Sequence, residues 1–214
     1  MYLLPAVVVS PDIQLKTLLA LATIVDIFLT LCYHSNSTRP PCWESAKMTY
    51  FNRQVIRQYL DNVNLMTRED AVDQLWINIL RYYFNDLDCF GIEAQSRPHQ
   101  DWDYRSNVVV ANVRNYIMAK FLFVENKRSS LEDDPRIWDS TRDQLEDYML
   151  GARNDQGNIQ IMFGIVGIGN LARFYQLPIN GTALVPYGPA RGLNIEHDAN
   201  TIERILQLLV RDYR

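Results

Sequence analysis

The run Phe121-Leu122-Phe123-Val124-Glu125-Asn126-Lys127 constrains the fold of this chain more than any other segment. Its aromatic and branched apolar residues favour a buried strand, and that strand ends in a carboxylate and an ammonium. Side chains alternate along a strand, so Phe121, Phe123, Glu125 and Lys127 are expected on one face. A charged pair at the end of a buried strand can build a hydrolytic site. The carboxylate holds a divalent metal, while the lysine orients or activates water and offsets charge on a phosphate. Taken alone, the same triplet more often forms an exposed ion pair at a strand terminus. Its surroundings have to decide between the two.

Residues from Ala46 to about Val63 carry a helical pattern, and a clearer helix follows. Thr67-Arg68-Glu69-Asp70 reads as its amino-terminal cap, with an acidic first turn that suits the helix dipole. Val72, Leu75, Trp76, Ile79, Leu80 and Tyr83 then recur at helical spacing and define one buried stripe. Glu69 falls inside the arc of that stripe, Asp73 at its margin, and Asp70 points away. A short strand is expected over Cys89–Ala94, followed by a polar loop to Ser106. Asn107–Val113 and Lys120–Arg128 read as strands joined by a turn near Arg114-Asn115, an antiparallel hairpin. Pro135 opens a helix expected from about Arg136 to Ala152, with Gly151 near its end. Two more strands follow, within residues 158–169 and 172–178, and a last helix runs from about Asn200 to Tyr213. This order predicts an α/β fold, a mixed central sheet flanked by helices.

On the helix after the charged strand, Gln144 and Tyr148 lie four residues apart and share a face with Ile137, Thr141 and Ala152. Either Tyr148 is a core aromatic with Gln144 at a boundary, or both line the cleft of Glu125 and Lys127. A strand, a turn, a strand ending in Glu-x-Lys and a helix with Gln-x-x-x-Tyr resemble the PD-(D/E)XK phosphodiesterase superfamily, especially its RecB-like branch. The string KFLFVENKR followed by WDSTRDQLEDYMLGAR is also similar to a group of uncharacterised fungal proteins with this core. The resemblance covers roughly Thr67 to Arg214. It implies a restriction-endonuclease-like core and Mg²⁺-dependent (or Mn²⁺-dependent) hydrolysis of phosphodiester bonds, in DNA rather than RNA. Glu125 would hold the metal, Lys127 would position water, Gln144 and Tyr148 would orient the site, and Glu69 would supply a further acid.

One position departs from that pattern. Asn107 stands where the family has an aspartate, and an amide carbonyl is a poorer partner for Mg²⁺ than a carboxylate. Asp103 or Asp101 could replace the lost ligand, or Glu69 and Glu125 could hold the ion with waters. The alternative is a catalytically inactive member of the same fold, kept as a nucleic-acid-binding or protein-interaction module.

Charge narrows the partners. With 25 acidic and 21 basic side chains the net charge is -4, so nucleic-acid contact has to come from a local patch. Lys120, Arg128, Arg142, Arg153 and Arg173 are the candidates near the expected cleft. Cys32, Cys42 and Cys89 form no zinc pattern and read as reduced thiols of an intracellular protein, nuclear or cytoplasmic. Gly164, Gly167 and Gly169 have the wrong spacing for a dinucleotide site and are better explained by close packing. Thr17 to Cys32 is apolar but short, with Asp26 near its centre, which favours an accessory helix over a membrane span; a membrane tether or secretion is the lesser alternative. Residues 1–45 are therefore read as an apolar segment and linker, and residues 46–214 as the domain.

Overall fold

The computed structural model describes residues 49–64, 66, 68–87, 89–96, 106–114 and 116–214. The apolar Thr17–Cys32 segment, the expected boundary at residue 45, Thr67, Asp101 and Asp103 lie outside the described residues. Among the described residues no helix is long and apolar enough to cross a membrane.

Met48–Arg214 form one compact unit. Among the described residues four α-helices frame the sheet: α1 (Gln54–Asp61), α2 (Glu69–Tyr83), α3 (Pro135–Gln156) and α4 (Ala199–Tyr213). The strands are β1 (Phe90–Ser96), β2 (Ser106–Arg114), β3 (Ile117–Lys127), β4 (Met162–Ile168), β5 (Leu171–Leu177) and the short β6 (Val185–Pro186) and β7 (Leu193–Asn194). They lie in the order β1-β2-β3-β4-β5-β6, with β7 also paired to β5. β1, β2 and β3 are antiparallel neighbours, β3 and β4 are parallel, and β4 and β5 are antiparallel. Parallel neighbours need a crossover, and α3 supplies it. The result is the mixed sheet flanked by helices that was expected of a restriction-endonuclease-like core.

Alternation in the strands divides the core into two layers. Val108, Val110, Leu122 and Val124 pack with Val72, Leu75, Trp76 and Ile79 of α2 and with Ile202 and Leu206 of α4. Val109, Phe123 and Val166 pack on the opposite face with Leu145 and Met149 of α3. Every residue of the apolar stripe expected on α2 is buried.

Local details differ from the expectations for identifiable reasons. Phe121 does not share the face of Phe123: it packs beside Leu122 in the α2–α4 layer and stacks on Tyr213 at 4.3 Å. A β-bulge is the cause. Val110 pairs with Leu122 and Ala111 with Lys120, leaving Phe121 as the extra residue and reversing the alternation. The helix expected over Ala46–Val63 is broken by extended Arg53 into a 3-10 turn (Tyr50–Asn52) and α1. At the start of α2 the cap residue is Arg68, and no side chain caps the helix. α3 does not stop near Gly151; it continues to Gln156 and ends where Gly157 takes φ 79. β6 and β7 are too short to leave a periodic signal in the sequence.

The three glycines do serve close packing. A Cβ on Gly164 would stand 2.6 Å from Leu145 Cδ2 and 3.0 Å from Met149 Sδ, so the glycine lets α3 lie tight against β4. Gly164→Ala should therefore destabilise the protein by about 1–3 kcal/mol through overpacking. Gly192→Ala, whose nearest neighbour would be 3.6 Å away, should change stability by less than about 0.5 kcal/mol. Urea denaturation of the two variants measures the difference, and equal midpoints would refute the packing account.

Candidate active site

The carboxyl end of β3 and the amino end of β2 meet under the first turn of α2. Glu125 leaves β3 on the face of Phe123 and is 2% exposed. Its Oε1 accepts a hydrogen bond from Lys127 Nζ at 2.7 Å, and its buried Oε2 has no partner. Lys127 Nζ also stands 3.9 Å from Glu69 Oε2. Asn107, 6% exposed, bridges the elements: its Oδ1 accepts from the backbone N–H of Asn126 at 2.9 Å. Its Nδ2 donates to Glu69 Oε1 at 3.1 Å and to Asp73 Oδ2 at 3.2 Å. Asn126 leaves β3 on the opposite face from Glu125 and donates through Nδ2 to Asp73 Oδ1 at 2.8 Å.

Four of the expected site residues are thus brought together: Glu69, Asn107, Glu125 and Lys127. Asp103 lies outside the described residues. Gln144 donates to the Tyr148 hydroxyl at 2.6 Å, and Tyr148 is buried in the layer between α3 and the sheet. Among the described residues Gln144 makes no hydrogen bond to Glu125 or Lys127. Sequence reasoning missed Asp73 and Asn126. Asp73 follows Glu69 by one helical turn and so carries its carboxylate to the same end of α2. Asn126 is uncharged and stands between Glu125 and Lys127, so nothing in the sequence marks it.

Burial dominates the electrostatics. It pushes the Glu125 carboxyl up to about 7; Lys127 pulls the other way, and Glu69 and Asp73 add to the rise. Burial also raises Asp73, against the hydrogen bonds that it accepts from Asn126 and Asn107 and the pull of Lys127, with Glu69 pushing upward. Near neutrality, then, Glu125 is held partly as the neutral acid.

These donors decide whether the residues suit a divalent ion. Asn107 turns its one side-chain oxygen to the Asn126 N–H. What it turns toward Glu69 and Asp73 is its NH₂ group. Its partners fix that orientation: the flipped amide would set oxygen against two carboxylates and N–H against N–H. Glu69 and Asp73 therefore meet protein donors from Asn107, Asn126 and Lys127. Among the described residues no three His, Cys, Asp or Glu side chains are grouped so as to hold a metal ion. As arranged, the described residues of the set do not fit a divalent metal.

No family model matches the sequence, and no curated protein is significantly similar to it. Among solved structures, a type IIG restriction endonuclease, BpuSI, is similar over 69% of this chain, with a TM-score of 0.47 and 12% identity. The matched part spans 17% of that endonuclease, and a likeness so distant carries no functional inference.

The raised value at Glu125 has a measurable consequence. In the folded protein the carboxyl keeps its proton above the ordinary 4.5, up to about 7. The folded state thus binds more protons than the unfolded chain between those values, and stability falls as pH rises through that window. The contribution is full below about 4.5 and gone above about 7. At ~1.4 kcal/mol per pH unit the loss is about 3 kcal/mol. Urea unfolding should show a steeper decline in the parent than in Glu125→Gln, whose remaining decline comes from the raised Asp73 carboxyl; parallel pH profiles would contradict it.

Proposed function

We propose that this chain is a restriction-endonuclease-like module that binds nucleic acid and does not cleave it. One observation carries the reading: Asn107, where a metal-binding aspartate would stand, spends its oxygen on the Asn126 N–H and offers its NH₂ to Glu69 and Asp73. The Glu69 and Asp73 carboxylates are met by the protein's own donors, which substitute for the ion. Support for nucleic acid, DNA rather than RNA, comes from the resemblance of the Glu-x-Lys strand and the Gln-x-x-x-Tyr helix, and from Lys127, whose side chain is still 21% exposed.

A second reading, hydrolysis of DNA that depends on Mg²⁺ or Mn²⁺, is favoured by one feature. Glu125 Oε2 is buried without a partner, as a carboxylate awaiting a cation would be. That reading needs another acid, and Asp103 or Asp101 is the nearest in sequence.

Asn107→Asp separates the two. The substitution removes two donors and sets a third carboxylate beside Glu69 and Asp73. Without divalent metal it should destabilise the fold by about 3 kcal/mol. Mn²⁺ should raise the melting temperature of the variant by linkage while leaving the parent unchanged. With Mg²⁺ or Mn²⁺ and mixed single- and double-stranded DNA, the parent should retain DNA uncut. Cleavage by the parent that disappears in Lys127→Ala would overturn the proposal in favour of the second reading.

A further inference from the structure

Five basic residues were candidates for phosphate contact, and the structure separates them. Lys120 is paired with Glu93 at 3.2 Å, and Arg142 with Asp143 at 2.7 Å. Arg153 donates to the carbonyls of Gly181 and Leu177 at 2.7 and 3.0 Å, tying α3 to the end of β5. Arg128 is exposed, on the turn after β3. Arg173 is different from all of these. It is part-buried on β5, and its guanidinium carbon lies 4.2 Å from the centre of the Trp138 ring. Among the described residues its buried Nε has no hydrogen-bond partner and no carboxylate pairs with it.

Its position ties it to the candidate site. Glu125 pairs with Val166 across β3–β4, and Val166 with Arg173 across β4–β5. Directly paired residues point to the same face, so Glu125, Val166 and Arg173 form one row on the side that α3 covers. Two strand spacings put the Arg173 backbone about 10 Å from that of Glu125. The support under the guanidinium is held in place. Trp138 is 4% exposed and donates through Nε1 to the Glu132 carbonyl at 2.8 Å. Glu132 in turn accepts from Ser129 Oγ and the Asn170 N–H, each at 2.8 Å.

We infer that Arg173, stacked on Trp138, is an anion-binding residue that takes a phosphate group on the same face of the sheet as Lys127. A partly desolvated guanidinium with no internal counter-ion, in a chain of net charge -4, is completed by an anion from outside. The planar fork of arginine matches phosphate oxygens two at a time, and the ring beneath fixes the plane of that fork. The inference deepens the nucleic-acid reading, in which the phosphate is a backbone phosphodiester. A free phosphate would satisfy the same chemistry.

The test uses the full chain, a labelled oligonucleotide and, separately, inorganic phosphate. Arg173→Gln should weaken oligonucleotide binding about tenfold and flatten its salt dependence by about one charge. Arg142→Gln removes the same formal charge from an exposed pair and should stay within about twofold of the parent. Arg173→Lys, which keeps the charge but loses the fork, should fall between, and it carries the test if Arg173→Gln does not fold. Phosphate should raise the melting temperature of the parent and of Arg142→Gln, but not of Arg173→Gln. If the parent binds DNA and Arg173→Gln and Arg173→Lys bind it equally well, the assignment of Arg173 is overturned and the nucleic-acid reading stands. If DNA does not bind but the phosphate response depends on Arg173, the anion site stands and the nucleic-acid source is discarded. Neither response in the parent overturns both.

Discussion

The side-chain amide of Asn107 holds the candidate site of this molecule together. One end of the amide accepts the Asn126 N–H, continuing the β2–β3 ladder past its last regular pair. The other end donates to Glu69 and Asp73 and fastens the first turns of α2 over the strand ends. Only an amide can do both at once, because it presents an acceptor and a two-proton donor at the two corners of one plane. An aspartate could keep the first bond but would repel both acids, and would require a cation between them. An Asn at this position thus differs from an Asp in which group neutralises the cluster as well as in charge.

The rest of the site follows from that neutralisation. Among the described residues three acids, Glu69, Asp73 and Glu125, face a single ammonium, Lys127, and the remaining excess is met by neutral donors and by protonation. Glu125, the most buried of the three, is the one pushed up to about 7. The carboxamide of Asn126 lies against Gly167 and Trp76, where any Cβ on residue 167 would collide with Asn126 Oδ1 and Trp76 Nε1. A glycine on β4 is therefore part of the site: it allows the Asn126 side chain to lie under α2 and reach Asp73.

Much of this was legible in the sequence because it is local. The hairpin, the crossover helix and the stripe of α2 all follow from periodicity, and the facing of Glu69 follows from its offset to Val72. What could not be read depends on register. The bulge at Phe121 reverses the alternation of β3 without altering its composition, so Phe121 enters the wrong layer in a pattern-based reading. The bridging role of Asn107 depends on where β2 ends relative to β3 and α2, and the same residue read along the chain appears only as a missing acid. Asp73 sat at the margin of a helical stripe, and Asn126 between two charged neighbours; neither position signals a buried hydrogen bond.

The central claim is that Asn107 and Lys127 occupy electrostatically the place of a metal. Paramagnetic Mn²⁺ tests it directly, by its effect on the amide signals of a ¹⁵N-labelled sample. Protein donors already satisfying Glu69 and Asp73 predict that low concentrations of Mn²⁺ leave the Asn107 side-chain NH₂ and the backbone amides of Glu125 and Asn126 no more broadened than those of exposed acidic turns. Selective broadening of those signals at sub-stoichiometric Mn²⁺ would contradict the account and show that the site still binds a divalent ion.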